Sequence, residues 1–115
     1  MMDRRVLVVD DDLFVLEVVA SMLEELGCET LRARSGTEAL GTIGSDQTID
    51  VLIADINMPG LDGSTLATWA RSFRPELPII LITGGVTAGR GFPLLRKPFA
   101  RPDLERVMAE TTGLC

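Results

Sequence analysis

Four apolar runs punctuate the chain, and each stops at a polar residue of a particular kind. Arg5-Val6-Leu7-Val8-Val9 runs into Asp10-Asp11, residues 49–54 run into Asp55, residues 77–82 run into Thr83, and a fourth, shorter run leads to Lys97-Pro98. Runs this short and this continuously apolar predict strands buried on both faces, as in a parallel sheet. Between them the period changes. A helix is predicted over 13–26, with Glu17, Ser21, Glu24 and Glu25 on its polar face and Gly27 just past its end. Residues 29–33 read as a short strand, placed at an edge by Arg32 and Arg34. Ser35-Gly36-Thr37-Glu38 is a capping box that opens a helix to about residue 43, and Gly44-Ser45-Asp46 turns the chain into the third strand. Residues 57–63 form a loop rich in turn formers, after which Ser64 is the expected cap of a helix to about residue 73. Pro102 is expected at the first position of the last helix. Strand and helix alternating in this way predict the α/β class, with a doubly wound parallel sheet.

One stretch breaks the rhythm. Thirteen residues separate Thr83 from Lys97, and Gly84, Gly85, Gly89, Gly91 and Pro93 crowd into them. A parallel crossover needs about a dozen residues including its helix, and here part of the segment must also form the fifth strand. At most one or two helical turns fit. Gly84 and Gly89 have the spacing of a phosphate-binding loop, but Arg90 and Gly91 stand where such a loop has lysine and Ser/Thr. The stretch therefore reads as a flexible crossover.

A length of 115 residues with 46% apolar content corresponds to one domain with a core of its own, not to a disordered segment. The net charge of −6 argues against nonspecific nucleic-acid binding. No apolar run approaches the length of a membrane span and no signal peptide is visible, so a cytoplasmic location is expected. Cys28 and Cys115 fit no metal or redox spacing and read as reduced thiols. The chain has no histidine, which excludes a histidine base, metal ligand or phosphocarrier of its own.

Polar groups just past the C-terminal ends of parallel strands converge on one crevice. Three carboxylates, a hydroxyl and an ammonium gathered there suit a hard divalent cation and a phosphoryl group. Each residue alone has a blander reading. Asp10-Asp11-Asp12 could be an acidic helix start, and Asp12 reads best as a cap. Asp10 and Asp11 read better as ligands, because adjacent carboxylates at a strand end repel unless a cation joins them. Asp55 could be a turn aspartate, Thr83 a strand-end hydroxyl and Lys97 a solvated charge; their weight comes from occurring together.

Val8-Val9-Asp10-Asp11-Asp12, Asp55-Ile56-Asn57-Met58-Pro59-Gly60-Leu61-Asp62-Gly63, Thr83 and Lys97-Pro98-Phe99 resemble the receiver domain of bacterial two-component response regulators, over essentially the whole chain. The resemblance implies five parallel strands in the order 2-1-3-4-5 within one domain, 1–115. It implies Asp55 as phosphoacceptor, Asp11 as a direct Mg²⁺ ligand, Asp10 holding a metal-bound water, and the backbone carbonyl of Asn57 as a further ligand beside Asp55. Thr83 and Lys97 would bind the phosphoryl oxygens, and Lys97-Pro98 is expected to be cis. The implied donor is a sensor histidine kinase or histidine phosphotransfer protein, with the chain a monomer or weak dimer and no enzyme beyond chemistry at its own Asp55. Val15, Val19, Met22 and Leu26 form a second apolar stripe on the first helix, either buried under the last helix or open to a partner's helix.

Two departures stand out. Leu94 occupies the position where many receivers carry an aromatic switch residue. The family's fourth helix, between the fourth and fifth strands, is expected to be short or absent, and residues 84–91 are expected to become ordered on phosphorylation instead. Two rivals were weighed. An idle interaction module would have lost Asp55, Asp11 or Lys97, and all are present. A Mg²⁺-dependent phosphohydrolase would carry a carboxylate where Asn57 stands. No output domain is visible, which suits a stand-alone receiver, a relay intermediate or a piece of a larger protein. Repulsion among Asp10, Asp11 and Asp55 predicts that Asp55→Asn stabilises the metal-free protein.

Overall fold

The structure is a computed structural model that describes residues 4–45, 48–85 and 91–112. Its elements run β1 (Arg5–Val9), α1 (Leu13–Glu25), β2 (Glu29–Ala33), α2 (Gly36–Ile43), β3 (Val51–Asp55), α3 (Gly63–Phe73), β4 (Ile79–Thr83), β5 (Leu94–Arg96) and α4 (Arg101–Thr112). The five strands pair in parallel in the order β2-β1-β3-β4-β5, as the alternation and the resemblance imply, and β2 does lie at an edge.

Side chains alternate along each strand, so one sheet feeds two cores. Leu7, Val9, Leu52, Ala54, Ile79 and Leu81 point to the side covered by α2 and α3. Val6, Val8, Val51, Ile53, Ile80 and Ile82 point to the side covered by α1 and α4. This explains why the central strands read as unbroken apolar runs: neither face meets water. In α1, Leu16, Val19 and Leu23 are buried, and Val15 and Met22 pack partly against the same core. Of the second stripe, Val19 is buried in this core, Val15 and Met22 are half-buried against it, and Leu26 is half-buried.

Local signals set most boundaries. Asp12 caps α1, its Oδ1 accepting the N–H groups of Phe14 at 2.9 Å and Val15 at 3.3 Å. Gly27 follows the α1 cap with φ +90, a conformation glycine adopts without strain. Ser35 caps α2 by accepting the Glu38 N–H at 3.0 Å. Two expectations are corrected. Asp62, not Ser64, caps α3, accepting the Thr65 N–H at 2.9 Å, and Ser64 is buried inside the first turn. Pro102 is the second residue of α4, not the first. Between β4 and β5, residues 84, 85 and 91–93 carry no helix. The remaining part of the crossover, 86–90, lies outside the described residues, and so does the expectation of an ordering switch there. Among the described residues no helix is long and apolar enough to cross a membrane.

Candidate functional site

The site is assembled by register. β1 and β3 pair Val8 with Ile53 and Val9 with Ala54, so Asp10 and Asp55 follow side by side on the same face of neighbouring strands. Both are buried. β1 ends at Val9, and the turn into α1 lets the exposed Asp11 join them. One carboxylate oxygen from each of Asp10, Asp11 and Asp55 lies within 4.8 Å of the others.

The two buried carboxylates are served differently. Asp55 Oδ2 pairs with Lys97 Nζ at 3.2 Å, and its Oδ1 accepts the Asn57 N–H at 3.0 Å. Asp10 Oδ1 accepts the Asp12 N–H at 2.9 Å, but its Oδ2 is buried with no hydrogen-bond partner among the described residues. Burial pushes the Asp10 carboxyl up to about 6, against the Asp12 N–H that favours its charged form; Asp55 and Asp11 push the same way and Lys97 opposes them. The negative charge left without a full complement is therefore on Asp10. Asp55 has an ammonium partner, so removing its charge would break an ion pair as well as relieve its repulsion of Asp10.

An orphaned buried oxygen in a cluster of hard oxygen ligands is what a small divalent cation would satisfy. Asp10, Asp11 and Asp55 could hold one, and so few protein ligands would leave positions for water or an anionic oxygen.

β4 and β5 bring the other polar groups. Thr83 ends β4 fully buried, one residue past Ile82, the register partner of Asp55. Its Oγ1 accepts the Gly85 N–H at 3.1 Å and lies 3.3 Å from the Gly85 carbonyl. The hydroxyl is thus turned into its own loop. Lys97 N–H donates to the Thr83 carbonyl at 2.8 Å, which ties the two strand ends together. The Lys97–Pro98 peptide is cis, as expected. Leu94 pairs with Leu81 and packs half-buried against the α2–α3 side of the core.

One residue essential to the site's shape was read only as part of a turn. A Cβ on Gly63 would collide with the Asp55 carbonyl oxygen and stand 2.9 Å from Ile56 Cα. Only glycine lets the start of α3 press against the end of β3. The motif Asp62-Gly63 hints at a turn, but the close approach depends on a partner strand that local pattern does not reveal.

Comparisons with known proteins agree with this geometry. Residues 6–108 match the family model described as response regulator receiver domain. The response regulator MprA of Mycobacterium bovis is 38% identical over 98% of the chain and 51% of its own length. The transcription factor SKN7 of Saccharomyces cerevisiae is 33% identical over 90% of the chain and 18% of its own length. The chain thus spans about half or less of these relatives. The crystal structure of a response regulator receiver domain protein from Clostridium thermocellum superposes with a TM-score of 0.88 at 29% identity, covering 96% of this chain and 94% of that one.

Proposed function

Because the chain belongs to the response regulator receiver domain family, we propose that Asp55 is its phosphoacceptor and that the whole chain works as one receiver domain. The observation that carries this reading is the setting of Asp55: a buried carboxylate beside two others, with Lys97 Nζ 3.2 Å from one of its oxygens. A carboxylate oxygen of Asp55 attacks the phosphorus of a phosphohistidine on a sensor kinase or phosphotransfer protein. The P–N bond breaks, its electron pair leaves with the imidazole, and an acyl phosphate forms on Asp55. Water later cleaves the acyl phosphate, which releases inorganic phosphate and restores the Asp55 carboxylate, so the only group the chain modifies is its own Asp55.

Asp10, Asp11 and Asp55 would hold Mg²⁺, with the Asn57 carbonyl as a further ligand. Bound Mg²⁺ supplies charge neutralisation for the crowded carboxylates and for the transferring group. Lys97 follows the charge: its ammonium, now on the Asp55 carboxylate, becomes the counter-charge of the phosphoryl oxygens. Thr83 supplies one hydroxyl donor to the same oxygens. A partner bearing the phosphohistidine would seat on α1 and the loop after β5. There Phe14, 77% exposed, lines an apolar groove with Val15, Val18, Met22, Pro98 and Phe99 beside the site. We place this exchange in the cytoplasm, with the chain a monomer or weak dimer.

The test is the intact mass after incubation with acetyl phosphate and Mg²⁺. A gain of one phosphoryl group is expected, absent from Asp55→Asn and absent when the metal is chelated. No gain, even from a phosphorylated histidine donor, would leave an interaction module with an idle site.

A further inference from the structure

The side chain next to Lys97 has a separate task. Thr83 and Arg96 are register partners at the ends of β4 and β5, and Lys97, the residue after Arg96, meets Asp55. Arg96 Nη1 donates to the Gly85 carbonyl at 3.2 Å, the same carbonyl that faces the Thr83 hydroxyl at 3.3 Å. The hydroxyl carries one proton. While that proton points at Gly85 it is not available to a phosphoryl oxygen.

We infer that Arg96 is a positioning residue that releases the Thr83 hydroxyl for use. This rests on the reading of Asp55 as phosphoacceptor. At 3.3 Å the bond from hydroxyl to carbonyl is long for O–H···O, so it is readily given up. The Gly85 carbonyl has two lone pairs, and the one held by Arg96 remains satisfied when the hydroxyl turns away. The Gly85 N–H, 3.1 Å from Oγ1, continues to fix the oxygen in place. Arg96 thus keeps the loop seated during the exchange. Without it, the carbonyl would hold the Thr83 proton as its remaining side-chain donor among the described residues.

The test compares Arg96→Met and Arg96→Lys with the unsubstituted protein. Acetyl phosphate and Mg²⁺ are the reagents, and phosphorylation is followed by intact mass at donor concentrations up to saturation. The methionine variant is expected to lose about three- to ten-fold in the saturating rate, the scale of one hydrogen bond in a partly exposed setting. The lysine variant, which keeps charge and donor, should recover most of it. Amide exchange of Gly85, measured without any phosphodonor, should speed up several-fold in the methionine variant. A change only in the half-saturating donor concentration would mean that Arg96 merely attracts an anion, and would overturn the inference. Unchanged Gly85 exchange would overturn it as well. If the unsubstituted protein gains no phosphoryl group, the Asp55 reading fails first and takes this role with it, an outcome distinct from a defect confined to the variant.

Discussion

Asp10 and Asp55 leave β1 and β3, central strands in which residues 6–9 and 51–55 are all buried. Arg96 ends β5, an edge strand of three residues with only Leu95 buried, and Lys97 follows it directly. The carboxylates are placed by packing on both faces of the sheet and cannot shift without disturbing two cores. The cations are placed by a short ladder and by individual hydrogen bonds: Lys97 N–H to Thr83, Lys97 Nζ to Asp55, Arg96 to Gly85. One half of the site is rigid because the core is; the other can re-pair its donors when a charge arrives. The proposed binding of a metal and response to a phosphoryl group would draw on both kinds of construction.

Three perturbations sharpen that contrast. The largest effect is expected at Gly63→Ala. The added methyl would collide with the Asp55 backbone itself, so relief requires moving β3 or α3, and a loss of about 3 kcal/mol should appear in urea unfolding. A cost under about 1 kcal/mol would show that the rigid half yields more easily than its burial implies.

The next is Asp10. Its folded-state value is raised from 3.8 to about 6, so between those values the native state keeps a proton that the unfolded chain has lost. This group's contribution is therefore most favourable below about pH 4, falls as pH rises to about 6, and stays low above it. With metal chelated, Asp10→Asn should remove that fall and gain at most about 3 kcal/mol at neutral pH. Adding Mg²⁺ should raise the melting temperature of the unsubstituted protein more than that of the variant. A difference between the two proteins that does not vary from pH 4 to 7 would contradict the burial of an uncompensated Asp10.

The smallest effect belongs to the adaptable half. Leu94 is half-buried on β5, and Leu94→Ala should cost about 1 kcal/mol, well below the 2–5 kcal/mol typical of a fully buried leucine. A loss in that higher range would mean that β5 is as firmly seated as the centre of the sheet.

The strands and the carboxylate cluster were legible because burial on both faces leaves an unmistakable apolar run, and because Asp10 and Asp55 sit directly at the ends of such runs. The capping of α1 and α2 was legible for a similar reason: Asp12 and Ser35 each act on amides within three residues. Ser64 misled because Asp62-Gly63-Ser64 offers two cap residues, and only backbone geometry chooses Asp62. Gly63 and Arg96 were not legible because their partners, Asp55 at the end of β3 and Gly85 after β4, are brought to them by the fold. The charge balance was not legible for the same reason: sequence shows three acids together but not that Lys97 reaches Asp55 while Asp10 Oδ2 has no partner among the described residues.

The two borders of the sheet have a consequence for behaviour at high concentration. An open sheet exposes unpaired backbone groups along its outermost strands, and these can recruit a strand from another molecule. On β2, Arg32 is held across the surface by Glu17 at 2.8 Å and Glu24 at 3.5 Å, and Arg5 reaches Glu29 at 3.2 Å from the neighbouring strand. An incoming strand would have to displace this anchored charge. The opposite border, β5, is too short to template much of a ladder. The sheet that positions the acids so firmly is thereby a poor seed for aggregation at either margin.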